Sequence, residues 1–139
     1  MSNKSVFTQN KPPGTIQINP DEINWLDAPV SLPTGSKVAF LEGNPKQEGI
    51  FTMRVKLLRY CKMPVHSHPQ DERVTIISGM MYIGFGKKFD MNIAVGLSSG
   101  SFYINPAESE HYVFTENEEC VLQVTGLGPW IVNYLGSSD

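Results

Sequence analysis

Turn-forming residues punctuate this 139-residue chain every several positions, and no run between them carries a helical period beyond a single turn. What lies between the turns reads as short strands. The clearest is residues 51–57, where Phe51, Met53, Val55 and Leu57 share one face and Thr52, Arg54 and Lys56 the other. That is the period-2 alternation of a half-buried strand. Further strands are expected at residues 15–19, 37–41, 80–85, 93–97, 101–104, 111–115, 120–125 and 130–134. Gly79 closes one run, and Gly126-Leu127-Gly128-Pro129 reads as a breaker before the last. Residues 21–25 form either a helical turn or a short extended piece. Many short strands without a long helix describe an all-β chain, an antiparallel sandwich or barrel. The pattern alone leaves a jelly roll, a lipocalin-like barrel and an immunoglobulin-like sandwich open.

The length suits one domain with a sizeable core. Residues 1–14, polar and containing Pro12-Pro13-Gly14, read as a flexible arm, and residues 15–139 as the domain. A net charge of −3 without a basic run offers no footprint for nucleic acid or an acidic membrane. No stretch reaches the roughly 20 apolar residues of a membrane span. The first residues lack the apolar core of a secretory signal, so Cys61 and Cys120 are expected to be reduced and the protein cytoplasmic.

Chemistry concentrates in residues 61–79, CKMPVHSHPQDERVTIISG. On a strand His66 and His68 point to the same side, about 7 Å apart at Cα, close enough to lean onto one ion. Pro69-Gln70-Asp71 breaks that strand, and a turn there returns Glu72 beside the histidines, with Val74 and Ile76 following on its face. The third and last histidine, His111, opens the strand after Pro106. Imidazoles and a carboxylate meeting at strand ends make a metal site of mixed nitrogen and oxygen donors.

These residues resemble the two motifs of the cupin superfamily. The first (Gly, five residues, His-x-His, three or four residues, Glu, six residues, Gly) is matched by His66, His68, Glu72 and Gly79, with Tyr60 at the first glycine. The second (Gly, five residues, Pro-x-Gly, two residues, His, three residues, Asn) is matched by Gly100, Pro106 and His111, with Glu108 for the glycine and Thr115 for the asparagine. The resemblance implies a double-stranded β-helix, the jelly-roll β-barrel. It implies one divalent transition metal per chain on His66, His68, Glu72 and His111: iron first, with zinc, manganese or nickel as alternatives.

Among cupins the chain looks most like small single-domain proteins similar to the cupin domain of ChrR-type anti-sigma factors, which include enzymes resembling diketone-cleaving dioxygenases. By that resemblance iron(II) would chelate an enolised dicarbonyl, dioxygen would add to give C–C cleavage, and Glu72 would serve as fourth ligand or as catalytic base. Zinc or manganese would suit an isomerase or decarboxylase instead. The alternative is a module that binds or senses a small ligand without turnover. A homodimer is expected, with residues 15–19 as a shared edge.

Strand parity would place Met53, Val55, Val74, Ile76 and Val113 around the ion as an apolar substrate pocket, although core packing explains them equally well. Gln123 faces either that pocket or water. Cys61 reads as a buried thiol, and Ser67 points away from the histidines on either side of it.

Overall fold

The alternation at residues 51–57 builds the first sheet. In the computed structural model, which describes residues 10–136, β3 (Gly49–Leu57) buries Phe51, Met53, Val55 and Leu57 and leaves the residues between them half-buried. It pairs antiparallel with β2 (Lys37–Glu42) and β9 (Cys120–Gly128). The outer edge of β2 is taken by β1 (Leu26–Asp27). β9 pairs with the first half of β5 (Glu72–Phe85), and β7 (Phe102–Asn105) flanks the same half. The second half of β5 pairs with β6 (Val95–Ser98) and β8 (His111–Phe114). The second sheet continues through β4 (Lys62–Ser67) to β10 (Asn133–Tyr134). The result is one curled antiparallel ten-stranded sheet with two facing halves.

Gly79, expected to end a strand, lies inside the 14-residue β5. The register shifts between Ile76 and Ser78, and Gly79 has φ +77°. A Cβ at Gly79 would stand 1.9 Å from the Glu119 carbonyl oxygen. Bulge and glycine let the strand turn a corner from one half-sheet to the other without interrupting the chain of pairing. The expected breaker also fails: β9 runs through Gly126 and Gly128. A Cβ on Gly128 would come within 1.8 Å of the Gln47 carbonyl oxygen, so this glycine permits close backbone approach rather than a turn.

Two other expected strands are reduced. Residues 15–19 are exposed and unpaired, followed by a 3-10 turn at Pro20–Glu22, because β1 occupies the edge they would have joined. Of residues 130–134 only Asn133–Tyr134 pair, since Trp130 and Ile131 are engaged at the site described below. The core lies between the half-sheets, with Phe51, Met53, Val74, Ile76, Met81, Leu122 and Val124 buried in one cluster. Each such side chain contributes about 1.5–3 kcal/mol. Tyr112 and Phe114 point out of the other face of β8 and pack with Val65 under Phe89 and Ala94. Among the described residues, no helix is long and apolar enough to cross a membrane.

Candidate metal centre

β4 and β8 bring the histidines together. His66 pairs directly with His111 across the two strands, and His68 follows one residue beyond the end of β4. A bulge between Met63 and His66 contains Pro64, which has no N–H for the ladder. The shift sends Val65 to the outer cluster and turns His66 inward with His68. All three rings are buried.

Each ring is oriented by a backbone carbonyl. Nδ1 of His66 lies 2.6 Å from the Pro64 oxygen, Nδ1 of His68 lies 2.8 Å from that of Ile131, and Nδ1 of His111 lies 3.0 Å from that of Ser109. A carbonyl only accepts, so Nδ1 carries the proton in all three, and each Nε2 presents a lone pair. The three donor nitrogens lie within 4.8 Å of one another. Such outer carbonyls fix tautomer and ring orientation in metal-binding histidines.

Glu72, the first residue of β5, borders this group. Its Oε1 accepts a hydrogen bond from Asn105 Nδ2 at 2.7 Å and its Oε2 one from Trp130 Nε1 at 2.8 Å. Oε2 is also 3.3 Å from His68 Nε2, and Oε1 is 4.0 Å from His111 Nε2. With both Nδ1 atoms donating elsewhere, these are acceptors facing acceptors, an arrangement that calls for a cation between them. The donor set therefore fits a divalent ion on three imidazoles with Glu72 alongside. The three histidines form the converging group, and the carboxylate is held beside it by two neutral donors.

Burial, reinforced by the neighbouring His111, pushes the His66 pKa down from 6.5 to about 3. Burial also lowers that of His111. Protons therefore compete less well for these two imidazoles than for ordinary ones, whose pKa is about 6.5.

The space beside the histidines is about 40 Å³. That is room for an ion or one water. Val55 and Val113 line it as expected, with Leu32, Tyr103 and Trp130. Met53, Val74 and Ile76 are buried but do not line it. Gln123 alternates to the opposite face of β9, where its Oε1 accepts from Arg54 Nε at 3.1 Å. The inner row of β9 is Leu122 and Val124, which places Gln123 outside this cavity.

Trp130 and Asn105 were missed by sequence reasoning. Trp130 stacks on His68 with ring centres 5.1 Å apart and 19° between planes, besides holding Glu72. No local pattern announces it. Asn105 had a faint signal, a polar residue closing an apolar strand just before Pro106.

Where the chain departs from the motif glycines, the backbone keeps the glycine conformation. Tyr60 has φ +58° and Glu108 φ +63°, the two non-glycine residues with positive φ among those described. The Glu108 N–H donates to the His68 carbonyl at 2.7 Å, and the Ala107 N–H to Asp71 Oδ1 at 2.7 Å, tying the two motif loops together. Thr115, in the asparagine position, clamps the Tyr60 turn by donating to the Leu58 carbonyl at 2.6 Å and accepting from the Cys61 N–H at 3.1 Å. Cys61 and Cys120 are free thiols whose pKa values burial raises, that of Cys120 to about 12.

Residues 9–130 match the profile of a family described as a domain of unknown function, DUF4437. No curated protein matches the chain. Solved structures do. The polyketide cyclase RemF from Streptomyces resistomycificus superposes with TM-score 0.71 at 12% identity, covering 90% of this chain and 88% of its own. An RmlC-like cupin from Ralstonia eutropha gives 0.67 at 19% identity, covering 91% and 75%. KdgF from Halomonas sp. gives 0.63 at 16% identity, covering 82% and 93%. The fold is that of the RmlC-like cupins, as the sequence resemblance implied.

Proposed function

The chain belongs to the DUF4437 family, and for this member we propose a metal-dependent enzyme acting on a small oxygenated molecule at the three-histidine centre. The observation that supports it is the set of three Nδ1–carbonyl pairs, which leave Nε2 as the free donor on each ring of a group whose ligand atoms lie within 4.8 Å of one another. A divalent ion held by His66, His68 and His111 would supply Lewis-acid polarisation of a substrate oxygen. Glu72 is the one carboxylate beside those nitrogens among the described residues, and in this reading it takes a proton from the carbon next to a carbonyl, the bonding pair remaining on the substrate. Asn105 and Trp130 hold the two oxygens of Glu72 in position for that transfer. The apolar walls from Val55 and Val113 keep bulk water away.

Enolisation is a step that lyases, isomerases and the diketone-cleaving dioxygenases implied by the sequence resemblance can share. A polyketide cyclase and one chain from crystal structures of two DMSP lyases share this fold, and those activities differ, so the fold alone selects no substrate. Iron is the first metal to test, followed by zinc, manganese and nickel. Metal analysis of untagged protein, with His68→Ala as control, comes first. Loaded enzyme is then expected to exchange α-protons of a ketone panel into deuterated water, and Glu72→Gln to lose that exchange. Absence of metal after reloading, or exchange unaffected in Glu72→Gln, would overturn the reading.

A non-catalytic binding module is favoured by one observation: the space at the histidines is only about 40 Å³. Stoichiometric metal without exchange on any substrate would select it. A homodimer remains our proposal for assembly, supported by the exposed Ile16 and Ile18 on the unpaired segment, and light scattering tests it.

A further inference from the structure

The space at the histidines is too small for a substrate, yet two of its walls are shared. Leu32 and Trp130 also line a separate cleft of about 550 Å³. Its floor is the inner face of β2 and β3, from Val38, Phe40 and Met53, and the segments around Leu26 and Ile131 form its sides. The polar residues on it are few: Ser31, Lys46 and Asp27, whose carboxylate pairs with Lys37. Phe40, Leu26 and Ile131 remain 48%, 44% and 49% exposed there, an apolar concavity left open to water. Its volume falls in the range of sites for small organic ligands, roughly 300–1,000 Å³.

We infer that this cleft binds the hydrocarbon body of the substrate, which is therefore an apolar molecule, aliphatic or aromatic, bearing a single terminal carbonyl or enol oxygen. The inference rests on the metal-centre reading for the oxygen end only. The indole of Trp130 lies at the junction: it stacks on His68, donates to Glu72 and contributes to the cleft wall. A body lying in the cleft would reach the 40 Å³ space across the shared wall of Leu32 and Trp130, and only its oxygen end would fit there. Binding energy then comes from the apolar body, away from the reacting atoms. Met53, expected from the sequence to contact substrate, does so here rather than at the ion.

The test exploits the two tryptophans of the chain. Trp25→Phe, whose ring lies outside the cleft against Lys56, leaves Trp130 as the sole reporter. Metal-loaded and metal-free Trp25→Phe protein is titrated with 2-acetylnaphthalene, which carries the oxygen, and 2-ethylnaphthalene, which lacks it. Both are expected to change Trp130 emission saturably, and Phe40→Asp or Leu26→Asp to weaken both at least about tenfold. These are exposed positions that accept a charge without loss of the core. Tyr60→Asp, outside the cleft, is expected to leave binding unchanged. The ketone is expected to bind tighter than its headless analogue only when metal is present.

No saturable change, or a Kd indifferent to both aspartates, would overturn the cleft as the binding site. Equal affinity of the two probes for loaded protein would overturn the orientation of the oxygen end. Failure to bind metal at all would strike the metal reading alone, since 2-ethylnaphthalene still reports on the cleft.

Discussion

Replacing Trp130 by Phe removes one hydrogen bond from a buried carboxylate while keeping an aromatic ring over His68. In the native protein Glu72 Oε2 receives the indole N–H at 2.8 Å and faces His68 Nε2 at 3.3 Å, a nitrogen that has no proton to give because Nδ1 donates to Ile131. Without the indole N–H, Oε2 loses its donor in a site that Glu72 leaves only 6% exposed. A hydrogen bond to a charged group contributes about 1.5–3 kcal/mol, and its loss leaves the desolvation of the acceptor uncompensated. Trp130→Phe should therefore destabilise metal-free protein by about 2 kcal/mol, a fall in Tm of roughly 6–10 °C for a domain of this size. Metal affinity should fall about 10- to 100-fold, the usual effect of removing an outer-shell partner.

Because Phe also vacates volume, the decisive assay is a double-mutant cycle with Glu72→Leu, which removes the acceptor, read by urea denaturation. The shared hydrogen bond predicts a coupling of about 1 kcal/mol or more. Additive effects, with metal affinity unchanged in Trp130→Phe, would refute the claim that the indole holds Glu72 for the ion.

Glu108→Gly should raise the urea midpoint by about 0.5–1 kcal/mol equivalent at constant m-value, because φ +63° strains a residue with a Cβ more than the added chain freedom of glycine costs. Gly79→Ala should lose about 3 kcal/mol or more by thermal denaturation, since φ +77° and a Cβ 1.9 Å from the Glu119 oxygen both oppose it. Metal-free protein should lose stability as pH falls from 6.5 toward about 3. In that window the unfolded chain protonates His66 while the folded chain does not, a slope of up to about 1.4 kcal/mol per pH unit, with His111 acting in the same direction. Denaturation midpoints at several pH values check this, and a flat profile would contradict it.

The convergence of His66, His68 and Glu72 was legible because the signals are local. Two residues separated by one share a strand face whatever the rest of the chain does, so His66 and His68 converge by parity, and the turn at Pro69 returns Glu72 to them. The alternation of residues 51–57 likewise specified which side of β3 is core. Glycines were misread because a glycine does two things, turning a chain or allowing another backbone to approach, and composition does not separate them. Gly79 does both and Gly128 only the second, and the neighbours that make them so, Glu119 and Gln47, are distant in sequence.

What the sequence determined on its own is thus the all-β class, the inner face of β3 and the shared side of His66 and His68, since strand parity and turn chemistry act over a few residues. The tertiary structure decided the rest. It placed Trp130, 58 positions from Glu72, against that carboxylate, took Ile131 out of a ladder to orient His68, and turned Gln123 away from the histidines. It also set a 40 Å³ space at the histidines apart from an open 550 Å³ cleft beside it. Each of these depends on where the closing sheet brings remote segments into contact, which no local pattern encodes.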